Sequence, residues 1–390
     1  MNVYGYELLF RSGLDNFFDH SDGDRATSSV IAGGLLLFGI ETLTGGAKAF
    51  INFTRALFTS DYATALPRDQ VVLELLENID PDSEILDACR RVKDLKYTLA
   101  LDDFVYHPKY RPLLDYADII KVDFRLSGPD ERRDLAELVR PMGIRLLAEK
   151  VETQEEFDQA KAMGYSLFQG YFFCKPLLLS RRDLPGNKLH YLQLLKEINR
   201  QDVDFERVAD AIRKDVPLAY KLLRYINAAA FGMKREITSI NQAVALLGER
   251  EVRKWASLMA LTQMAEDKPA ELMISSLFRA RMTEGLAGSL GMKERSADLF
   301  LLGLLSLVDA ILDRPMKDIV EELPLFGDIK DALLTRANRP GGLLRLVEAM
   351  EKGEWERLDE VIEVLDIEES QLPSLYVEAV ATAHRALSGS

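Results

Sequence analysis

The feature that most constrains the fold is a regular alternation of strand-like and helix-like segments over residues 1–180. Seven short runs rich in β-branched, aromatic and other apolar residues predict strands: Val3–Phe10, Ala49–Phe53, Val71–Leu75, Tyr97–Leu101, Ile119–Val122, Arg145–Ala148 and Ser166–Phe168. Helical segments are predicted between them, namely Ala26–Leu43, Asp82–Lys93, Pro129–Arg140 and Thr153–Ala162. Alternation of this kind indicates a parallel sheet, and seven units favour a closed TIM-like (βα) barrel over an open sheet.

The remainder of the chain has a different periodicity. A polar stretch from Ser180 to Lys188 predicts a linker. Beyond it, apolar residues recur at helical spacing, for example Leu218, Leu222 and Ile226. We therefore predict a barrel over residues 1–180, a linker over 181–189 and an all-α domain over 190–390.

Charge and composition exclude several classes of function. The formal net charge is −14, so the chain has no general attraction for nucleic acid or for an anionic membrane. No apolar run reaches the roughly 18 residues of a membrane span, and no signal peptide is predicted. Two cysteines, Cys89 and Cys174, have no metal-ligand spacing. We expect a protein of the reducing cytoplasm.

Polar residues lie where the predicted strands end, which is the edge at which βα barrels carry their chemistry. A single carboxylate after a strand is usually a helix N-cap. Carboxylates on most strands of one barrel would repel one another unless cations intervened. Oxygen ligands favour Mg²⁺ or Mn²⁺ over zinc, and two such ions suit hydrolysis of a phosphodiester. The residues are Glu7, Asn52, Glu74, Glu77, Asp102, Asp103, Lys121, Asp123, Glu149, Glu152 and Gln169.

In order and spacing, this half of the chain resembles the EAL domain, the bacterial phosphodiesterase module for cyclic di-GMP. The similarity rests on Tyr6-Glu7-Leu8-Leu9-Phe10-Arg11, Ile51-Asn52-Phe53-Thr54, Leu73-Glu74-Leu75-Leu76-Glu77, Asp102-Asp103-Phe104, Lys121-Val122-Asp123, Ala148-Glu149-Lys150-Val151-Glu152-Thr153 and Gln169-Gly170-Tyr171. The signature alanine is replaced by Leu8. The resemblance covers about 180 residues.

The resemblance implies a role for each matched residue. Glu7, Asn52, Glu74, Asp102 and Asp103 would bind two divalent cations, Mg²⁺ or Mn²⁺, with Glu149 as a further ligand. Glu7, Lys121 and Glu149 would be catalytic, the latter two positioning the attacking water. Arg11, Gln169 and Asp123 would contact the substrate, and Glu77 and Glu152 would support the site. The reaction would open cyclic di-GMP to linear pGpG.

Two departures from the family pattern weaken the expectation of turnover. In active members Asp-Asp-Phe leads into Gly-Thr-Gly, whereas here it leads into Val105-Tyr106-His107-Pro108, which stiffens the backbone. Lys150 stands where a glycine is usual and brings a cation close to Glu149.

The helical half resembles an HDOD domain, a relative of the HD phosphohydrolases that lacks their metal site. The similarity rests on the segment Asp215–Asn227, on Ile237–Ala243 and on Leu246-Leu247-Gly248. The His-Asp pair of the HD enzymes is replaced by the run Leu304–Asp309, and the only histidines of this half are His190 and His384. The resemblance implies a regulatory or partner-binding module. We interpret Asn227 as a buried hydrogen-bonding residue of helix packing.

Two functions remain open from the sequence. The first is a bacterial EAL–HDOD signalling protein that binds cyclic di-GMP with divalent metal and has weak hydrolytic activity or none. The alternative is a catalytically inactive scaffold that acts through protein–protein contacts. A partner of the HDOD-like half and a homodimer are both compatible with the sequence.

Overall fold

The computed structural model describes residues 2–8, 39–174, 186–200, 203–227 and 237–388. The chain divides into two compact units, Met1–Lys175 and Pro176–Ser390. The first contains a parallel sheet with helices between its strands, and every element of the second that the structure describes is helical. Among the described residues, no helix is both long and apolar enough to span a membrane.

The sheet confirms the predicted βα architecture. Seven parallel strands pair in chain order, and each predicted strand coincides with an observed one to within a few residues at its ends. The strands are β1 (Gly5–Glu7), β2 (Lys48–Phe53), β3 (Val71–Leu75), β4 (Thr98–Leu101), β5 (Ile119–Asp123), β6 (Arg145–Glu149) and β7 (Leu167–Phe168). The end of the first predicted strand, at Leu9 and Phe10, lies outside the described residues.

Helices connect these strands, and their bounds follow from local capping. The helix α6, for example, begins after Thr153, whose hydroxyl accepts a hydrogen bond from Glu156 N while the Glu156 carboxylate accepts one from Thr153 N. This reciprocal arrangement is a capping box. The helices of the first unit are α1 (Ile40–Thr44), α2 (Arg55–Thr59), α3 (Ser83–Asp94), α4 (Arg111–Leu114), α5 (Pro129–Val139) and α6 (Gln154–Met163). Most of the predicted helix Ala26–Leu43 lies outside the described residues.

The sheet curls around an apolar interior. Phe50, Val72, Ala100, Ile119 and Leu147, one from each of the five central strands, form a buried cluster. Two partly buried side chains near opposite edges of the sheet, Tyr4 and Leu167, pack against this same cluster. Arg145, at the start of β6, also donates from Nη2 to the Tyr4 hydroxyl at 2.6 Å, and a residue just before β1 can reach β6 only if the sheet is strongly curved. Strand pairing is continuous from β1 to β7, and within the described residues no ladder joins β7 back to β1.

Two central strands carry charged residues where apolar ones would be expected. All five residues of β3 and all five of β5 are buried. Those strands nevertheless contain Glu74, Lys121 and Asp123, which are 0%, 1% and 3% exposed. Burying charged groups is costly unless they are paired. Because of this cost, we expect the charged side chains at the carboxyl ends of β3 and β5 to pair with groups of opposite charge.

The second unit is a helical bundle. Its helices are α7 (Gly186–Ile198), α8 (Phe205–Lys214), α9 (Val216–Ile226), α10 (Ile240–Met264), α11 (Ala270–Gly285), α12 (Ser296–Leu305), α13 (Val308–Leu312), α14 (Met316–Glu322), α15 (Gly327–Thr335), α16 (Arg339–Lys352), α17 (Trp355–Leu365) and α18 (Leu372–Ser388). Helix α7 begins at Gly186, inside the segment predicted as a linker. Helix α10 is kinked at Gly248, whose φ of 74° is left-handed.

The core of the bundle is centred on α12. Every residue of this helix from Ala297 to Leu305 is buried. Helix α11 packs closely along it, since a Cβ added at Gly303 would lie 2.4 Å from the Arg279 backbone. Arg279 is itself 4% exposed and donates from both Nε and Nη2 to the Glu351 carboxylate. A buried arginine held in this bidentate way is compatible with an otherwise apolar core.

Asn227 has the hydrogen-bonding role expected of it. Its Nδ2 donates to the carbonyl oxygens of Leu223 and Ile237, at 2.9 and 2.8 Å, and its Oδ1 accepts from Ile237 N at 2.8 Å. The side chain therefore ties the end of α9 to the residues that precede α10.

Candidate metal and phosphate site

Four carboxylates surround the ammonium group of Lys121 at the carboxyl edge of the sheet. Its Nζ lies 2.6 Å from Asp102 Oδ1, 2.8 Å from Glu74 Oε1, 3.0 Å from Glu149 Oε1 and 3.2 Å from Glu7 Oε2. The residues come from β1, β3, β5, β6 and the residue following β4. We call Glu7, Glu74, Asp102 and Glu149 the carboxylate cluster.

Two amide side chains, one on β2 and one after β7, orient Glu7. Asn52 Nδ2 donates to Glu7 Oε1 at 3.1 Å, and Gln169 Nε2 donates to Glu7 Oε2 at 2.9 Å. Asn52 is on β2, beside Glu7, whereas Gln169 follows β7 at the far edge of the sheet. The curl of the sheet therefore brings the first and last strands to the same site.

The electrostatics of the cluster differ from one carboxylate to the next. Burial would raise the pKa of Glu7, but the Lys121 ammonium and the donors from Gln169 and Asn52 outweigh it and lower that pKa. Burial raises the pKa of Glu74 well above its usual value, and it raises the pKa of Glu149 to about 8, with only partial compensation by Lys121. For Lys121 itself, the surrounding carboxylates overcome the effect of burial and raise its pKa well above the usual value. The lysine therefore stays protonated.

The cluster has more negative charge than Lys121 can balance. Glu74 Oε1 pairs with the Lys121 ammonium at 2.8 Å, whereas its Oε2 is buried without a hydrogen-bond donor among the described residues. Asp103 Oδ1 is likewise buried without a donor. Oxygen atoms of Asp102, Asp103 and Glu149 lie within 4.8 Å of one another and could hold a metal ion together. Unsatisfied carboxylate oxygens of this kind fit a hard divalent cation.

Asp123 was predicted to contact the substrate, but both of its carboxylate oxygens already have partners within the protein. Oδ1 accepts from Arg125 N at 2.5 Å, and Oδ2 forms an ion pair with Lys150. From the sequence, Lys150 was expected to act near Glu149; its ammonium instead binds Asp123. Lys150 has a φ of 52°, the left-handed region in which a residue without Cβ is favoured.

The remaining predicted site residues lie outside this group. Glu77 is exposed beyond the end of β3, and its carbonyl accepts a hydrogen bond from the Tyr110 hydroxyl. Glu152 is exposed just before α6, where its backbone N donates to Glu156. The supporting roles predicted for both carboxylates stay predictions. Arg11, predicted to contact phosphate, lies outside the described residues.

One residue that shapes the site, a glycine, has no charged or polar side chain to mark it in the sequence. Gly170 follows Gln169 with a φ of 144°, and a Cβ there would lie 2.1 Å from Val151 O. The backbone after β7 therefore passes directly against the loop that follows β6, and Val151 N donates to Gln169 O across this contact at 3.0 Å. Glycine at position 170 is what allows Gln169 to reach Glu7.

Comparison with known proteins bears on both halves. A family model described as "EAL domain" matches residues 46–176, and one described as "HDOD domain" matches residues 184–322. The Bacillus subtilis protein YuxH, described as uncharacterized, is 36% identical and aligns over 98% of this chain and 95% of its own length. A Vibrio cholerae protein named cyclic di-GMP phosphodiesterase CdgJ is also 36% identical, over 92% of this chain and 84% of its own.

Together the fold and the carboxylate cluster define a parallel βα-sheet domain of EAL type joined to a helical domain of HDOD type. The two family models match those halves in that order. At 36% identity over 95% and 84% of the lengths of the two relatives, the chain belongs to the family of two-domain EAL–HDOD proteins.

Proposed function

We propose that this protein is a metal-dependent cyclic di-GMP phosphodiesterase that opens the cyclic dinucleotide to linear pGpG. The observation that carries the proposal is the convergence of the carboxylate cluster on Lys121, with Glu74 Oε2 and Asp103 Oδ1 buried and lacking a donor among the described residues. The name of CdgJ, which aligns over most of both chains, supports the same substrate.

A divalent cation, Mg²⁺ or Mn²⁺, would be held by Glu7, Asn52, Glu74, Asp102 and Asp103, with Glu149 as a further ligand, as the resemblance implies. Two such ions are expected in an active enzyme. When bound, the metal would supply a water molecule of lowered pKa and would neutralise charge on the phosphodiester.

Other residues have roles that follow from their charge states. Because Lys121 keeps its proton, it can donate a hydrogen bond to a phosphate oxygen but cannot act as a base. Glu149 lies 3.0 Å from Lys121 Nζ, and as the resemblance implies the two would position the attacking water together. Gln169 holds Glu7 and closes the pocket on the side of β7. Arg11 and Asp123 complete the proposed substrate contacts.

Chromatography of cyclic di-GMP incubated with the full chain and Mn²⁺ tests this proposal. We expect pGpG to form with Mn²⁺ and not with a chelator, and Glu7→Gln to lower the rate at least 100-fold, as losses of residues acting on the reacting centre commonly do. Glu155→Gln is the matched control, because Glu155 is exposed in the first turn of α6. Equal turnover by the two variants would refute the assignment of Glu7.

A receptor without turnover is the second candidate, and one observation favours it. Lys150 pairs with Asp123 at the edge of the site, and the backbone at Lys150 is left-handed where the family usually has glycine. Under this alternative the protein binds cyclic di-GMP with metal but forms no product. Calorimetry of cyclic di-GMP binding, combined with chromatography of the products, separates the two. Binding without pGpG formation supports the receptor and rules out the phosphodiesterase.

For the HDOD domain we propose a regulatory or partner-binding role. Within the described residues, the only His, Cys, Asp or Glu group placed to share a metal is in the EAL domain. His190 lies 3.6 Å from Asp215 and is half exposed. The histidines of this domain therefore form no metal-ligand group in the part of the chain that the structure describes. Removal of metal with a chelator should leave the melting of this domain unchanged.

A further inference from the structure

The loop that follows β4 departs from the family pattern, and the function proposed above gives it no role. Its residues Val105-Tyr106-His107-Pro108 replace the usual Gly-Thr-Gly. The loop begins directly after Asp102 and Asp103, two of the proposed metal ligands, and it ends in a short 3₁₀ helix, Pro108–Tyr110. The contacts of this loop therefore bear on how these two ligands are held.

Asp103 has a backbone conformation that its surroundings must impose. Its φ is 39°, in the left-handed region that residues other than glycine seldom adopt. Such a conformation persists only where neighbouring contacts over-determine it. On one side, Asp102 N donates to Leu75 O on β3 at 3.0 Å. On the other side, Phe104 N donates to Lys121 O on β5 at 2.9 Å. Holding Phe104 in place is therefore part of holding Asp103.

A cavity lies beside this segment, so close packing alone does not fix it. The cavity has a volume of about 170 Å³, and it is lined by Leu75, Leu101 and Tyr110 together with Asp102 and Asp103. Groups that border a cavity lose packing contacts on that side and have room to shift. The position of the two aspartates thus depends on the specific contacts of the loop.

Tyr110 makes two contacts that join this segment to the loop after β3. Its ring packs against the ring of Phe104, which is 6% exposed, with 5.9 Å between the two centroids. Its hydroxyl donates to the Glu77 carbonyl oxygen at 3.3 Å. Tyr110 therefore contacts the residue next to Asp103 and ties it to the end of the neighbouring strand.

The residues that replace the usual glycines determine where Tyr110 lies. His107 Nδ1 accepts a hydrogen bond from Lys109 N at 3.2 Å, and Tyr110 N donates to His107 O at 2.8 Å. Pro108 begins the short helix, a position that suits its fixed φ. Lys109 also pairs with Asp80, but solvent screens this pair because both side chains are exposed. The stiff sequence thus forms a turn that presents the Tyr110 ring to the segment after β4.

We propose that Tyr110 is a positioning residue of the metal site. It acts through the Phe104 ring, and it keeps Asp103 in the conformation that brings a carboxylate oxygen within 4.8 Å of those of Asp102 and Glu149. Ligands that are already ordered bind a metal more tightly, because no loss of conformational freedom then opposes binding. The inference rests on the metal site proposed above but does not depend on turnover.

Equilibrium binding of Mn²⁺ to the full chain tests this role. Tyr110→Leu removes the ring and the hydroxyl, and it should weaken Mn²⁺ binding about tenfold or more, as the loss of a group that orients a metal ligand commonly does. Tyr110→Phe keeps the ring and should weaken binding by about threefold at most. Tyr116→Leu is the matched control, since Tyr116 is also half-buried but precedes β5, at the end of the strand away from the site. It should bind Mn²⁺ as the wild type does.

A double-mutant cycle separates positioning from a general loss of structure. The effect of Tyr110→Leu on Mn²⁺ affinity should largely disappear in an Asp103→Asn background, because the carboxylate that it positions is gone. It should persist in a Glu7→Gln background, since Glu7 is on β1 and the loop follows β4. If Tyr110→Leu does not fold, Tyr110→Phe takes its place in the cycle, and its smaller effect should depend on the background in the same way.

Two results would overturn the proposal while leaving the metal site intact. The first is equal Mn²⁺ affinity of Tyr110→Leu and the wild type. The second is a loss of the same size in the Asp103→Asn and Glu7→Gln backgrounds, because Tyr110 would then support the fold rather than Asp103. Failure of the wild type to bind Mn²⁺ would instead refute the metal site itself, and this proposal with it.

Discussion

Replacing Lys150 separates a backbone effect from a charge effect at the edge of the candidate site. The residue has a φ of 52°, and its ammonium pairs with Asp123, a carboxylate that is 3% exposed. Lys150→Gly removes both the Cβ and the charge, whereas Lys150→Ala removes the charge and keeps the Cβ. The difference between the two variants therefore isolates the backbone.

The magnitudes can be worked from these two contributions. A left-handed conformation costs a residue with Cβ about 1–2 kcal/mol, and the greater unfolded-state entropy of glycine offsets roughly 0.5–1 kcal/mol of that. Lys150→Gly should thus be about 0.5–1 kcal/mol more stable than Lys150→Ala. The ion pair contributes about 0–1 kcal/mol, because the Lys150 side chain is 56% exposed and solvent screens it. Lys150→Gly is therefore expected to lie close to the wild type in stability.

Urea denaturation of the two variants measures the backbone contribution, and Mn²⁺ titration measures the charge contribution. Loss of one positive charge beside Asp123 should tighten Mn²⁺ binding in both variants by about threefold to tenfold. Lys96→Gly is the control, since Lys96 is also left-handed, at φ 67°, but lies before β4, at the opposite end of the strand from the site. Equal stability of Lys150→Gly and Lys150→Ala would refute the strain argument, and unchanged Mn²⁺ affinity would refute the charge argument.

Three further predictions follow from single residues. Since burial raises the pKa of Glu149 to about 8, the metal-free protein should lose stability as pH rises from about 4.5 to 8. Mn²⁺ binding should tighten and release protons over the same range. A Mn²⁺ affinity that calorimetry finds independent of pH would contradict this. Asn227→Ala should destabilise the HDOD domain by about 1–3 kcal/mol in thermal melting, because Ile237 loses both of its partners, and a change below about 0.5 kcal/mol would exclude a structural role. Gly170→Ala should lower cyclic di-GMP turnover by displacing the loop from Val151, and full turnover would show that this contact is dispensable.

The sequence predicted the βα half of the fold closely for a physical reason. Buried parallel strands are short apolar runs bounded by turns, so Val71–Leu75 could be delimited to the residue. The start of a helix with a strong N-cap was predicted to within one residue, as at Thr153. The order of strands followed from the alternation. The degree of curl did not, because it depends on side chains such as Tyr4 packing across the interior.

The sequence predicted which residues form the candidate site better than it predicted the contacts they make. Strand-end positions and the EAL resemblance identified Glu7, Glu74, Asp102, Lys121 and Glu149, which the structure brings together. That Lys121 lies at the centre of four carboxylates could not be read from spacing, since it depends on the register of five strands.

Tertiary contacts explain what the sequence did not indicate. The pairing of Lys150 with Asp123 follows from the register that sets Asp123 opposite Glu149 on the adjacent strand.

The central claim is that the carboxylate cluster is built for a divalent cation, and equilibrium binding of Mn²⁺ tests it most directly. Free Mn²⁺ measured by electron paramagnetic resonance gives the affinity without any need for turnover. The account predicts that the wild type binds Mn²⁺ and that Glu74→Gln, which leaves the fold intact in circular dichroism, binds it at least about tenfold more weakly. No binding by the wild type, or equal binding by Glu74→Gln, would contradict the account.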